Sequence, residues 1–483
     1  MSPLFGTDGV RGVANSELTP ELAFRIGRAA ATVLHDGGDK ERPIVVGRDT
    51  RVSGSMLEAA IVAGVTSVGS DALLIGVVPT PAVACVTRCT GAAAGVVISA
   101  SHNPVADNGI KFFASDGFKL SDDVERKIEA AMDSPDLPRP VGTAVGVARP
   151  AQNLARHYYH ELRTGEPDLR GLTVIVDAGF GAAYAIAPYV LRKLGANVLE
   201  LNCENDGSRI NVECGATDLQ QLQAAVRSSN SSGNARAVGV AFDGDADRAL
   251  FVDETGKIAS GDHVLFAIGC AMHARRELAR NTIVATVMSN IGFERALQNH
   301  GITLIRTAVG DRFVLERMRE DGYTLGGEQS GHLIDFRYNT TGDGPRTAVT
   351  LLDILATTQT PLSELVTEVQ VAPQVLVNVR SNGDGVLASQ SVRDAIAAGE
   401  ADLGTSGRLL IRASGTEPLI RVMAEGEDRA LIEHVAARVA SRIEQEISRA
   451  RHAVKPENLE TDRSGRARRH NAEAPGIEGF PTE

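Results

Sequence analysis

Gly95-Val96-Val97-Ile98-Ser99-Ala100-Ser101-His102-Asn103-Pro104 passes from an apolar run into small polar side chains. A short Val/Ile run bounded in this way reads as a buried strand, and the carboxyl ends of strands in α/β sheets are where ligands bind. Ser101 would therefore stand exposed at a strand end. Runs of the same kind recur at 43–47, 72–78, 173–176, 238–242 and 282–287, with Ala- and Leu-rich segments of helical length at 21–34, 56–68 and 186–194. Strands alternating with helices predict α/β layers on largely parallel sheets.

At 483 residues the chain is long enough for about three or four domains. Pro, Gly and short polar residues at 134–150 and 253–261 mark boundaries. Beyond residue 360 the character changes. Runs at 371–379 and 408–411 predict strands of a smaller unit, closed by a helix over 428–448 in which Leu431, Val435, Val439, Ile443 and Ile447 recur every four residues. Residues 451–483 are polar, cluster Arg463, Arg466, Arg468 and Arg469, and lack apolar periodicity, which predicts a disordered tail.

Apolar residues make up 43% of the chain and charged residues 23%, so real cores can form. The net charge of -12 disfavours nucleic acid and anionic membranes as partners. A phosphorylated small molecule would bind only where local Arg and Lys, backbone amides or a metal overcome that repulsion. The five cysteines are scattered without a C-x-x-C pair, so neither a disulfide framework nor a zinc site fits, and buried thiols are expected. No apolar run approaches the ~20 residues of a membrane span, and the first residues lack a secretion signal. A cytoplasmic protein is expected.

Four loops carry chemistry. Ser101 is a candidate nucleophile that needs a base, a metal or an activated phosphoryl donor, although its segment alone also fits a plain turn. Asp243-Gly244-Asp245-Ala246-Asp247-Arg248 follows a strand run, and carboxylates at alternate positions can converge on one hard cation such as magnesium or calcium. An EF-hand is the rival, with Glu254 at the twelfth position, but Arg248 stands where that loop turns on Gly. Gly326-Gly327-Glu328-Gln329-Ser330-Gly331-His332 offers a carboxylate, an amide, a hydroxyl and an imidazole, a set suited to sugar hydroxyls. In Arg412-Ala413-Ser414-Gly415-Thr416-Glu417-Pro418-Leu419-Ile420-Arg421, hydroxyls and amides lie between two arginines as a phosphate cradle or, alternatively, a hairpin turn. No nucleotide-binding glycine motif accompanies these loops, so transfer from ATP is unsupported.

Taken together, and with Phe5-Gly6-Thr7-Asp8-Gly9-Val10-Arg11-Gly12, the loops resemble the α-D-phosphohexomutase superfamily, and within it the bacterial phosphoglucosamine mutases, from residue 4 to about residue 446. The resemblance implies three similar mixed-sheet α/β domains (1–150, 151–255, 256–368) and a smaller α+β domain (369–450) around one central cleft, followed by the tail (451–483). It implies Ser101 as the phosphorylated serine, with Asp243, Asp245 and Asp247 holding Mg2+ beside its phosphate. Arg11, His102 and Lys111 would surround the reacting phosphoryl group, Lys111 as acid/base helper. Glu328 and Ser330 would grip the sugar, and Arg412, Ser414, Gly415, Thr416 and Arg421 the non-transferring phosphate.

The implied reaction interconverts glucosamine 6-phosphate and glucosamine 1-phosphate through a 1,6-bisphosphate, with glucose or glucosamine 1,6-bisphosphate as activator, and feeds UDP-N-acetylglucosamine and cell-wall precursors. Oligomeric state is not legible, a homodimer being compatible with the resemblance. Two departures from the family pattern stand out: Ala216 and Asp218 where many relatives have Ser and His, and a polar insertion at 228–236. Competing readings are a phosphomannomutase or phosphoglucomutase, against which Gln329 argues, a sugar-phosphate sensor without turnover, and a phosphatase.

Overall fold

All six expected strand runs form, and each pairs in parallel with a neighbour. The computed structural model describes residues 4–6, 8–35, 42–231, 237–381, 384–413 and 418–453. The chain divides into two units, Met1–Ala372 and Pro373–Glu483.

The first unit holds three mixed sheets. Val10–Val13 (β1), Ile44–Arg48 (β2), Ala72–Val77 (β3), Ala94–Ile98 (β4), Asp107–Ala114 (β5) and Ala148–Pro150 (β6) lie in the order β1-β5-β4-β2-β3-β6. Strands β2, β3, β4 and β6 run parallel, while β5 returns antiparallel to β4 and carries β1. Thr173–Asp177 (β7), Asn197–Leu201 (β8), Ala237–Phe242 (β9), Ala249–Val252 (β10) and Ile258–Ala259 (β11) are ordered β11-β10-β9-β7-β8. Thr282–Thr286 (β12), Thr303–Thr307 (β13), Leu325–Gly327 (β14) and Leu333–Asp335 (β15) are ordered β13-β12-β14-β15.

Helices cover these sheets because their apolar faces have nowhere else to go. Thr19 opens the helix Pro20–Leu34 by accepting from Leu22 N through its hydroxyl, and Pro20 costs no hydrogen bond in the first turn. Ile26, Ile61 and Ile128, from the helices Pro20–Leu34, Gly54–Ser67 and Asp122–Ala131, pack with Val46, Ile98 and Ile110 on one face of the first sheet. On the opposite face Val45 and Val97 enter a second core. It continues through Val83 and Val86 of the helix Thr80–Thr90 to Val176 and Val240 of the second sheet and Ile283 of the third. One apolar core thus ties all three sheets together.

In the second unit, Gln374–Arg380 (β16), Gly407–Ala413 (β17) and Leu419–Gly426 (β18) form an antiparallel sheet in the order β16-β18-β17. The helix Arg429–Ala453 supplies its core with Ile432, Val435, Val439 and Ile443. Three α/β layers and a smaller α+β unit are therefore the fold, as expected.

The details differ in several places, and β6 and β11 lie within the stretches 134–150 and 253–261 expected to be boundaries. Strand β5 was not expected, since Asn108 and Lys111 break its apolar pattern; both are nevertheless buried because polar partners meet them. Strand β16 begins at Gln374, after Pro373, which has no amide hydrogen to give a ladder. The last helix continues through Ala453, three residues into the stretch expected to be disordered; the rest of that stretch lies outside the described residues. Ser228–Ser231, the first part of the expected insertion, is helical, and residues 232–236 lie outside the described residues.

All five cysteines are free; Cys85 and Cys214 are buried, Cys203 and Cys270 half-buried, and Cys89 exposed. Among the described residues no helix is long and apolar enough to cross a membrane.

Candidate active site

Ser101 follows the carboxyl end of β4, as its sequence predicted, but it is not exposed: only 1% of its surface is accessible. The acidic loop after β9 packs over it. Ser101 has a left-handed backbone, φ 51°, uncommon for a residue with a Cβ. Its hydroxyl donates to Asp243 Oδ2 at 2.5 Å. His102 Nδ1 lies 3.4 Å from the same oxygen, and desolvation together with the charges of Arg248 and Arg11 pushes this imidazole toward its neutral form.

The acidic loop is held as a turn by Ala246 N donating to Asp243 O, with Ala246 at φ 56°. Gly244 is required by proximity, since a Cβ there would stand 2.5 Å from Ser101 O. Asp243, Asp245 and Asp247 are all buried, and one carboxylate oxygen from each lies within 4.8 Å of the others. Asp245 Oδ2 accepts from Thr80 Oγ1 at 2.6 Å and from Lys111 Nζ at 3.1 Å. The other oxygen of Asp245 and Asp247 Oδ1 are buried without a hydrogen-bond donor. Burial and its two acidic neighbours push the Asp243 carboxyl well above the usual range, while His332, Lys111 and Arg248 hold Asp247 well below it despite burial. Three oxygen donors, two with buried lone pairs unused, fit a hard divalent cation.

Lys111, on β5, is 3.8 Å from Asp247 Oδ2 as well. Against the cost of burial, Asp245, Asp247 and Asp8 hold its ammonium pKa above the ordinary lysine value. Lys111 is thus a fixed cation, suited to stabilising charge rather than to taking up a proton. Arg11 donates to Asn103 Oδ1 at 3.3 Å and to Asp8 Oδ2 at 3.2 Å, beside the same loop.

Sequence reasoning placed His332 with the sugar hydroxyls. Instead its Nδ1 is 3.5 Å from Asp247 Oδ2 and its Nε2 3.4 Å from Asp311 Oδ2. Burial opposes the charged ring, yet Asp247 and Asp311 lift its pKa to about 9. Lys119 bridges Asp311 and Asp8, completing a half-buried chain of alternating charges from the acidic loop to Arg11.

Glu328 and Ser330 sit in the turn between β14 and β15, which is anchored by Gly261 N donating to Gln329 O and by Gly331 at φ 91°. Glu328 Oε1 accepts from Gly310 N at 3.2 Å, and Ser330 Oγ is buried without a partner. In the second unit Arg412 and Arg421 face each other directly across β17 and β18. Desolvation and the Arg421 charge lower the pKa of Arg412. Like charges at opposed positions are unfavourable, and an anion between them relieves the repulsion. Ser414, Gly415 and Thr416, expected in the same cradle, lie outside the described residues.

Several residues near Ser101 were missed. Arg248 beside the triad, Asp311 and Lys119 in the charge chain, and Asn211, whose amide donates to Ser101 O at 2.8 Å, all lie far from Ser101 in sequence. Arg51 is the largest omission. Only one signal pointed to it: Asp49-Thr50-Arg51 leaves the end of β2 as the serine loop leaves the end of β4.

Sequence models of the phosphoglucomutase/phosphomannomutase α/β/α domains I, II and III match residues 2–139, 156–256 and 260–371, and that of the C-terminal domain matches 376–442. A phosphoglucosamine mutase of Moorella thermoacetica is 50% identical over 91% of this chain and 100% of its own length. One of Heliobacterium modesticaldum is 48% identical over 91% and 99%. The crystal structure of a phosphoglucomutase/phosphomannomutase family protein from Burkholderia thailandensis superposes with a TM-score of 0.76 at 26% identity, covering 95% of this chain and 98% of that one. With all four domains matched in order, the chain belongs to the phosphoglucomutase/phosphomannomutase family, among its phosphoglucosamine mutases.

Proposed function

We propose that this chain interconverts glucosamine 6-phosphate and glucosamine 1-phosphate, with Ser101 as the phosphoryl carrier. The observation that carries the reading is the Ser101 hydroxyl held against the buried Asp243, Asp245 and Asp247 triad. The phosphoglucosamine mutases matched along nine-tenths of the chain support the substrate.

In the proposed cycle phosphorylated Ser101 loses its phosphoryl group to the 1-hydroxyl of glucosamine 6-phosphate. The Oγ–P bond breaks, an O1–P bond forms, and the hydroxyl proton passes to a base that returns it to O6 in the second transfer. The neutral imidazole of His102, 3.4 Å from Ser101 Oγ, would hold it between the two steps. The 1,6-bisphosphate then reverses its ends, and cleavage of its O6–P bond restores the phosphoserine and frees glucosamine 1-phosphate. Glucose or glucosamine 1,6-bisphosphate would prime an unphosphorylated Ser101 by the same transfer.

Asp243, Asp245 and Asp247 would hold magnesium, which neutralises charge on the transferring group when bound. Lys111 and Arg11 add fixed positive charge, and His332, cationic between Asp247 and Asp311, can give a proton. Glu328 and Ser330 would take sugar hydroxyls, and Arg412 and Arg421, with Ser414, Gly415 and Thr416, the phosphate that is not transferring. Five free cysteines suit a reducing cytoplasm. A homodimer remains compatible with this chemistry and is read out by light scattering on the same preparation.

Phosphorus NMR of products from glucosamine 6-phosphate, with Mg2+ and a trace of glucose 1,6-bisphosphate, tests the reading. Isomerisation is expected, with a Ser101→Ala variant slower by about 10⁴-fold or more. A higher kcat/KM on mannose phosphates, or free phosphate accumulating as substrate is lost, would sink it.

A further inference from the structure

We propose that Arg51 is a positioning residue for the reacting serine: with Asp49 and Ser99 it clamps the loop that holds Ser101 in its left-handed conformation against the acidic triad. This inference rests on the reading of Ser101 as the phosphoryl carrier. Arg51 is 1% exposed, and among the largest fully buried side chains of the protein. Its guanidinium has five N–H donors, and the serine loop takes four of its bonds. Nη2 donates to Ser101 O at 2.9 Å and Asn103 O at 2.8 Å, while Nη1 donates to Pro104 O at 2.5 Å and Asp107 O at 3.0 Å. The fifth bond runs from Nε to Asp49 Oδ2 at 3.0 Å.

Asp49 closes the clamp from the other side. It accepts from Arg51 N at 2.9 Å and from Ser99 Oγ at 2.6 Å, and Ser99 Oγ in turn accepts from Ser101 N at 2.9 Å. Both the N–H and the C=O of Ser101 are therefore tied to one buried ion pair. A backbone in the left-handed region persists only where its surroundings over-determine it. Here the surroundings converge on the residue whose hydroxyl must meet a phosphoryl group in line.

A packing role would have placed the guanidinium among distant segments, but its four carbonyl partners all come from residues 101–107. Lysine cannot replace it, because one ammonium with three donors cannot span four carbonyls and a carboxylate.

The test uses Arg51→Lys and Ser99→Ala in the full chain, beside wild type and Ser101→Ala. Since misplacing a reacting atom by about 1 Å costs on the order of 10²-fold, kcat should fall roughly 10²-fold in Arg51→Lys and about tenfold in Ser99→Ala. The KM for glucosamine 6-phosphate should stay within about twofold, because binding contacts are untouched. Phosphorylation of Ser101 by glucose 1,6-bisphosphate, followed by intact mass, should slow by the same factor as kcat. Ser99→Ala removes a single oxygen and decides the matter if Arg51→Lys does not fold. Folded variants with wild-type kcat and phosphorylation rate overturn the clamp, as does a kcat loss that tracks only the unfolded fraction seen by circular dichroism. A Ser101→Ala variant that still turns over would instead overturn the carrier reading.

Discussion

Two regions of this chain are proposed to handle the same chemical group, a phosphate, and they are built in opposite ways. Ser101 is buried, its backbone is fixed at both N–H and C=O, and its hydroxyl meets a carboxylate at 2.5 Å. Arg412 and Arg421 are half-buried on adjacent antiparallel strands, in direct register, with like charges opposed. The first region fixes a position; the second supplies a charge. Transfer needs a fixed position, because bond making depends on alignment within fractions of an ångström. Retaining an intermediate that must reverse its ends needs the opposite: attraction for whichever phosphate arrives, without close steric choice.

If that contrast is right, damage to the two regions must differ in kind. Asp245→Asn removes a charge from the triad while leaving an oxygen beside Thr80 and Lys111. The loss of one stabilising group at developing charge costs on the order of 10²- to 10³-fold in kcat. Mn2+ binding, followed by electron paramagnetic resonance, should weaken by at least about tenfold. Unchanged metal binding in this variant would separate the triad from the cation and remove half of the comparison. Arg421→Ala should act on binding instead, raising KM by roughly 10- to 100-fold, the worth of one or two charge-assisted hydrogen bonds. A drop in kcat with KM unchanged would show that the arginine pair also fixes position.

The two regions were also unequally legible in the sequence. Ser101 and the three aspartates lie in short segments directly after apolar runs, so their place at strand ends followed from local pattern alone. The arginine pair was legible as composition, and the structure adds that the two face each other across strands. Burial was not legible. Arg51, Lys119 and Asp311 are ordinary surface residues by type, yet Arg51 is buried and Lys119 and Asp311 are half-buried against partners 50 or more positions away, which no local pattern reports. The same cause hid β5, whose Asn108 and Lys111 are polar in a strand that is buried nearly throughout. His332 was read with its turn as a sugar ligand, yet the acidic side chains that enclose it come from two other segments.

Salt gives the gentlest test of the contrast, and it needs no mutation. At 0.1 M ionic strength the screening length is about 10 Å, and at 1 M about 3 Å, so charges open to solvent weaken while buried pairs are nearly unaffected. Raising potassium chloride from about 0.05 to 0.5 M should therefore increase KM for glucosamine 6-phosphate by a few-fold, through the half-buried arginines. The single-turnover rate of transfer from phosphorylated Ser101 should change by less than about twofold, since Lys111 and the triad lie beyond the reach of mobile ions. Equal salt dependence in both parameters would mean that the serine region is open to solvent during the cycle, and the distinction between fixed position and supplied charge would then fail.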